Sequence, residues 1–154
     1  MADTKSTKFV RPLMMAGDGR AVIITDTMTV SSNPVASDTH SLKIPAGFEV
    51  CAATLRVSDM DTNGTPTLAG KVGYAPNPGA TTMKINNVAG VSGNDAYFRA
   101  AAAFGQAAAV IDLDFDPILF NDGAQLQVTW TVTAATFAAG TVKWVIFGNM
   151  IGAS

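Results

Sequence analysis

Charged side chains are scarce in this chain of 154 residues. Only 14% are Asp, Glu, Lys or Arg, and Glu49 is the single glutamate, whereas soluble domains usually carry about 25% charged residues. Surface helices are normally solvated by Glu and Lys, so the deficit disfavours a helical bundle. Ten basic and twelve acidic residues give a net charge of −2, which provides no basic surface for a nucleic-acid backbone. We therefore expect an all-β protein that does not bind nucleic acid.

Residues with catalytic chemistry are equally few. Cys51 is the single cysteine and His40 the single histidine; Cys51 lies in an apolar run and is expected in the core, with no intramolecular disulfide. Asp38, His40 and Ser41 include the residue types of a hydrolase triad, but a triad is assembled from distant segments, and neighbours on a strand point to opposite faces. The sequence therefore predicts no enzyme activity, no catalytic residue and no cofactor.

Long unbroken apolar runs are also missing. Lys5, Lys8 and Arg11 interrupt the N-terminal stretch, so we expect no secretory leader and synthesis in the cytoplasm. Residues Gly123–Val142 carry no charge, but Gln and Thr alternate there with Leu, Val and Trp. This period of two is typical of a half-buried strand, so no membrane association is predicted.

What the chain does contain is alternation of apolar residues with Thr, punctuated by Gly, Pro and Asn. The predicted strands are 20–30, 41–44, 48–60, 67–75, 81–85, 107–115, 124–134 and 140–150. Ala96–Ala103, preceded by Asn94 or Asp95 as a cap, predicts one short helix. The predicted fold is an antiparallel β-sandwich, jelly-roll-like, with about eight strands. Residues 1–19 form an N-terminal arm or edge segment, and residues 20–154 form the sandwich domain.

Two acidic patterns raise the question of a metal site. Asp59, Asp61 and Asn63 match the first half of a calcium loop, yet the twelfth position is Gly70 rather than a carboxylate, and these residue types are also standard in turns. Asp112, Asp114 and Asp116 alternate on one predicted strand face, either as a cation site or as a solvated edge. No metal ligand is assigned.

Several segments resemble small structural proteins of tailed bacteriophages. They are Ile44–Phe48 with Leu55–Leu68, Tyr97–Gln106 and Thr131–Val142, which cover about half of the chain. The family is the capsid decoration, or cement, proteins. The resemblance implies a β-sandwich that sits as a homotrimer on the outer capsid surface, with the major capsid protein and other copies of itself as partners. A virion location follows from it.

The low charge fits such a role, because burying unpaired charges in an interface is costly. We expect the arm residues Lys5, Lys8, Phe9 and Arg11 to contact the major capsid protein or a neighbouring subunit, the alternative being a disordered terminus. Alanine-rich stretches at 100–103 and 107–109 are expected to leave apolar surface.

A second function stays open, a receptor- or carbohydrate-binding module of a head fibre or tail appendage. It requires at least one solvent-exposed Trp or Tyr in a groove, on which a sugar can stack, whereas Trp130 and Trp144 follow the apolar phase of their strands and are expected in the core. A third, an enzyme on a jelly-roll scaffold, usually needs a histidine-rich metal site, and the single histidine argues against it.

Overall fold

Two β-sheets pack face to face in the computed structural model, which describes residues 3–5 and 21–151. The strands are β1 (Asp3–Lys5), β2 (Ala21–Val30), β3 (Thr39–Ile44), β4 (Phe48–Val57), β5 (Ala69–Ala75), β6 (Met83–Ile85), β7 (Val88–Val91), β8 (Asn94–Ala103), β9 (Ala109–Leu113), β10 (Ile118–Phe120), β11 (Ala124–Val132) and β12 (Gly140–Met150). The described residues contain no helix.

The eight main strands have the order of a jelly roll. β2 pairs with β12, β3 with β11, β4 with β9 and β5 with β8, all antiparallel. One sheet, the β12 sheet, runs β2-β12-β4-β9, and the other, the β11 sheet, runs β3-β11-β5-β8. In chain order these are strands 1-8-3-6 and 2-7-4-5, the arrangement produced when a long antiparallel ribbon is rolled into two layers. The predicted antiparallel sandwich is confirmed.

Short strands extend this framework at its margins. β10 pairs with β4 beyond β9 and continues through β6 to β7, while β1 lies parallel to β3 at the edge of the β11 sheet. Of the predicted arm, 1–19, the structure describes only β1. Residues 6–19 lie outside the described part, so the division into arm and domain stays a prediction.

The core fills the space between the sheets, and the alternation of each strand decides which side chains enter it. In β2, Val22, Ile24, Met28 and Val30 point inward and are buried, while the threonines between them face outward. Trp130 and Trp144 are 0% exposed, which confirms that both belong to the core. Burying a large apolar side chain of this kind contributes about 1.5–3 kcal/mol.

The predicted helix at Ala96–Ala103 is wrong, because this segment lies within strand β8. The side chain of Phe98 is only 5% exposed and packs edge-on against Phe115, with ring centroids 4.6 Å apart. Along the strand, Ala102 pairs with Gly70 of β5. Helix propensity differs by less than about 1 kcal/mol per residue, so strand pairing and the burial of one aromatic ring override it.

Candidate interaction surfaces

The loops of the sandwich gather at two ends. One, which we call the Asp61 end, comprises residues 31–38, 58–68, 104–108 and 133–139. The other, the Asn121 end, comprises residues 45–47, 76–93, 114–117 and 121–123. Because neighbouring strands are antiparallel, alternate connections fall at the same end.

A buried carboxylate organises the first end. Asp61 is 1% exposed, and its Oδ2 accepts hydrogen bonds from the backbone N–H groups of Thr67 (2.7 Å), Leu68 (3.0 Å) and Ala135 (3.0 Å), while Oδ1 accepts one from Thr136 (3.1 Å). Burial by itself raises the pKa of Asp61, but these four donors hold it well below its usual range. Both carboxylate oxygens thus accept backbone hydrogen bonds. Asp61 connects the loops, as a tie between them, instead of serving as the calcium ligand that the motif suggested.

Further contacts join the remaining loops to this tie. The Asn33 side chain pairs with the backbone of Ala134 in both directions, donating from Nδ2 and accepting at Oδ1 at 3.0 Å each. Gln106 Nε2 donates to the carbonyl of Leu68 at 2.8 Å. All four loops of the Asp61 end are therefore linked by hydrogen bonds between side chains and backbone.

The Asp61 end presents almost no charge to solvent. Asp38, Asp59 and Asp61 are its charged residues, and of these only Asp59 is exposed. The rest of its exposed surface is Thr, Ser, Ala, Asn and Gly, with Val35 54% exposed. A surface with so few charges avoids the cost of burying unpaired charges in an interface.

The Asn121 end is linked by a buried amide, with one exposed carboxylate, Asp122, whose Oδ2 accepts the Lys84 N–H at 2.7 Å. Asn121, which is 2% exposed, donates from Nδ2 to Asn87 Oδ1 at 3.0 Å and accepts the Asn87 N–H at its own Oδ1, also at 3.0 Å. Asn86 Oδ1 accepts the N–H of Leu119 at 2.8 Å. Asn86 and Asn87 have positive φ angles of 49° and 66°, which asparagine tolerates better than most residues.

Exposed aspartates surround that second end. Asp114, Asp116 and Asp122 are exposed there, whereas Asp112 lies on β9 and accepts the Thr54 hydroxyl at 2.9 Å. Asp114 and Asp116 follow β9 in the connection to β10, so the predicted row of three carboxylates on one strand face does not form. Within residues 3–5 and 21–151, no group of three or more His, Cys, Asp or Glu is placed to hold a metal ion.

The outer face of the β12 sheet carries an apolar patch. Strand register places Phe147 between Ile23 on β2 and Ala52 on β4, and Val145 follows on the next row of the same face. Phe147 is 44% and Ile23 37% exposed. We call Ile23, Ala52, Val145 and Phe147 the Phe147 patch.

The outer face of the β11 sheet is polar. It holds an open groove of about 450 Å³ whose lining includes Thr39, Gln127 and Thr131. Lys71 and Asp95, which also line it, form an ion pair at 2.7 Å. The two outer faces of the sandwich thus differ in chemistry.

His40 and the four arm residues were also singled out in the sequence analysis. The indole Nε1 of Trp130 donates to Nδ1 of His40 at 2.9 Å, and His40 is only 7% exposed. His40 is thus part of a buried hydrogen bond. Lys5 belongs to β1, while Lys8, Phe9 and Arg11 lie outside the described residues.

Cys51 does not enter the core, contrary to expectation. Phe48 and Val50 point inward, so alternation turns Cys51 to the outer face, where it is half-buried. A register shift opposite Phe147 then leaves Ala52 outward as well. Burial raises the pKa of the Cys51 thiol, and the neighbouring Glu49 raises it further.

Comparison with known proteins reveals likeness at the level of structure. Chains from two solved phage capsids have the same fold as this protein. A chain in the capsid of Ralstonia phage GP4 superimposes with a TM-score of 0.71 and 23% identity, covering 99% of this chain and 100% of that one. A chain in the capsid asymmetric unit of cyanophage Pam1 has a TM-score of 0.66 and 19% identity, covering 94% of each chain.

No protein-family model and no curated protein sequence matches the chain. Among the residues that the structure describes, no helix has the length and apolar character needed to cross a membrane.

Proposed function

We propose that this protein is a structural component of a tailed-bacteriophage capsid: a decoration, or cement, protein that binds the outer surface of the major capsid protein shell as a homotrimer. The observation that carries the proposal is the fold. It matches chains of two phage capsids, and each match covers at least 94% of this chain and of the capsid chain. The resemblance of the sequence segments to decoration proteins supports the finer assignment. The role is mechanical and involves no catalysis.

The mechanism is the addition of interface free energy. A trimer that touches adjacent shell subunits favours the assembled shell by mass action and opposes its rupture by packaged DNA. Interfaces that persist bury about 1,200–2,000 Å² or more, which calls for surface that loses little on desolvation. A chain with 14% charged residues provides such surface.

We assign the Phe147 patch to contacts between copies of the chain. Its apolar centre is bordered on the same sheet face by Arg56, Lys143 and Asp112, an arrangement of apolar core and polar rim that is typical of interfaces. Since the rim carries both signs of charge, neighbouring copies around a three-fold axis can place opposite charges beside each other at the border of the apolar centre. The polar groove face lacks such a centre.

Light scattering of the purified protein tests this assignment. We expect a trimer for the wild type and dissociation for Phe147→Asp, with an unchanged circular-dichroism spectrum because the ring lies on the outer face of the sheet. Val88→Asp is the matched control, since Val88 is 61% exposed at the Asn121 end, and it should remain trimeric. A Phe147→Asp variant that stays trimeric would contradict the role of the patch.

Binding to expanded shells that lack the protein tests the function itself. We expect saturable, stoichiometric binding and greater resistance of the shells to heat. Deleting residues 2–11 removes β1 from the edge of the β11 sheet; it should abolish binding while the rest of the sandwich stays folded, as judged by circular dichroism. Absence of wild-type binding would refute the decoration role, whereas full occupancy by the deletion variant would refute only the contribution of the arm.

The groove on the β11 sheet favours one alternative, a receptor- or carbohydrate-binding module of a head fibre or tail appendage. Hydroxyl and amide groups of Thr39, Gln127 and Thr131 line it, and such groups hydrogen-bond sugar hydroxyls. Both tryptophans are fully buried and cannot stack on a sugar, whereas the Tyr97 ring is 38% exposed but is not among the residues that line the groove. Binding of glycans that is lost in Gln127→Ala and kept in Phe147→Asp would support the alternative.

A further inference from the structure

Asn63 and Gly64 lie on the exposed turn of the Asp61 end. Asn63 is the one asparagine of the chain that is followed by glycine, and both residues are exposed. A side chain built at Gly64 would meet no atom within 4 Å. No other group therefore crowds the Gly64 position, and the peptide unit after Asn63 is open to solvent.

The side chain of Asn63 is folded over this peptide unit. Its Oδ1 accepts the N–H of Thr65 at 2.8 Å, two residues further along the chain. That contact directs the side-chain amide of Asn63 along the following backbone, past the intervening Gly64, and also polarises the Cγ–Oδ1 bond. In the described part of the chain, no hydrogen bond engages the Gly64 N–H.

We propose that Asn63 is a site of spontaneous deamidation in the folded protein. The Gly64 nitrogen gives its proton to water or hydroxide and attacks Cγ of Asn63; the C–N bond to Nδ2 breaks, and Nδ2 leaves as ammonia. Water then opens the five-membered imide at one of its two carbonyl groups, producing aspartate or isoaspartate. One water is consumed and one ammonia released, with no change in oxidation state.

The modification alters the loop end both electrostatically and structurally. It adds a second exposed carboxylate where Asp59 is now the one exposed charge, and it removes the amide that donates to Thr136 Oγ1 at 3.0 Å. In the isoaspartate product an extra methylene enters the main chain, displacing the Asn63 N–H from Asp61 Oδ1, to which it donates at 3.4 Å. The Asp61 end, which presents almost no charge before the modification, becomes more acidic and has fewer hydrogen bonds between its loops.

Incubation of the native protein at mildly alkaline pH, followed by peptide mass spectrometry and enzymatic isoaspartate labelling, tests this proposal. We expect the peptide containing Asn63 to convert severalfold faster than any other asparagine peptide. Asn33 and Asn77 are internal controls, because each precedes proline, which has no N–H to act as the nucleophile.

Gly64→Ala is the matched variant. The open space and ordinary backbone angle at Gly64 allow the methyl group without strain, so the fold should persist while the rate at Asn63 falls severalfold. Conversion in the urea-unfolded chain without conversion in the native protein would overturn the proposal, as would an equal rate in Gly64→Ala. Neither result depends on capsid binding, so the proposed function stands or fails separately.

Discussion

The two ends of the sandwich are tied by different chemistry. At the Asp61 end one buried carboxylate accepts five backbone N–H groups. At the Asn121 end the buried linking group is the neutral amide of Asn121, and the carboxylate of Asp122 is exposed. Charge-assisted hydrogen bonds are roughly twice as strong as neutral ones, but they depend on ionisation. The end of the sandwich with the least exposed charge is therefore the end whose loop contacts depend most on a buried charge.

The largest effect is expected for Asp61→Ala. The substitution leaves five backbone donors without their acceptor, two of them 74 and 75 residues away in the chain, and buried unsatisfied donors are costly. Chemical unfolding should show a larger loss of unfolding free energy than for any single asparagine at the Asn121 end. A loss no greater than that of Asn121→Ala would remove the distinction between the ends.

Acid should weaken the Asp61 end selectively. Because the folded pKa of Asp61 lies below the ordinary aspartate value of about 3.9, its stabilisation is complete above that value and is lost as the pH falls toward the folded pKa. Urea midpoints measured from about pH 6 downward should therefore drop below about pH 4. Asp61→Asn should flatten this dependence; an equally steep curve would place the acid sensitivity elsewhere.

Asn121→Ala should have an intermediate effect. It removes both hydrogen bonds with Asn87 from a site that is 2% exposed, with a loss of about 1–3 kcal/mol. Since amides do not titrate, the loss should be the same at neutral and acidic pH. Asn94→Ala, at an exposed position, is the control and should change the midpoint little.

The smallest effect is expected for Asp116→Asn. Asp116 is exposed in the loop after β9, and surface substitutions of this kind usually stay within about 0.5 kcal/mol. Compared with Asp61→Asn, it makes the same chemical change at the opposite end of the molecule. Equal destabilisation by the two variants, measured by thermal unfolding, would contradict the ranking of the ends.

Much of the fold could be predicted because apolar and polar residues alternate along a half-buried strand, and this alternation shows which side chains face the core. β12 begins and ends at the predicted residues Gly140 and Met150, and β2 differs from its prediction by one residue. Short strands gave a weaker signal: β7 and β10 were not predicted. β7 lies in a glycine-rich segment and β10 spans only three residues, which are too few for alternation to be read.

The site residues were harder to predict. Asp59, Asp61 and Asn63 were recognised as residue types typical of turns, although the predicted strand 48–60 overran β4, which ends at Val57. The partners of Asp61 are backbone groups of residues 67, 68, 135 and 136, and backbone donors leave no signature in a sequence. The Phe147 patch needs the register of three strands to bring Ile23, Ala52 and Phe147 into one row. The sequence analysis placed apolar surface at the alanine-rich stretches 100–103 and 107–109 and did not point to this face of the β12 sheet.

The scarcity of charge, the strand alternation and the burial of both tryptophans were determined by the sequence alone, because composition and period are local properties of a chain. The tertiary structure decided that the alanines of β8 form a strand, that Asp61 is a tie rather than a metal ligand, and that Cys51 faces outward. Each of these depends on which distant backbone groups and side chains come to lie beside the residue, and that follows from strand pairing across the whole jelly roll.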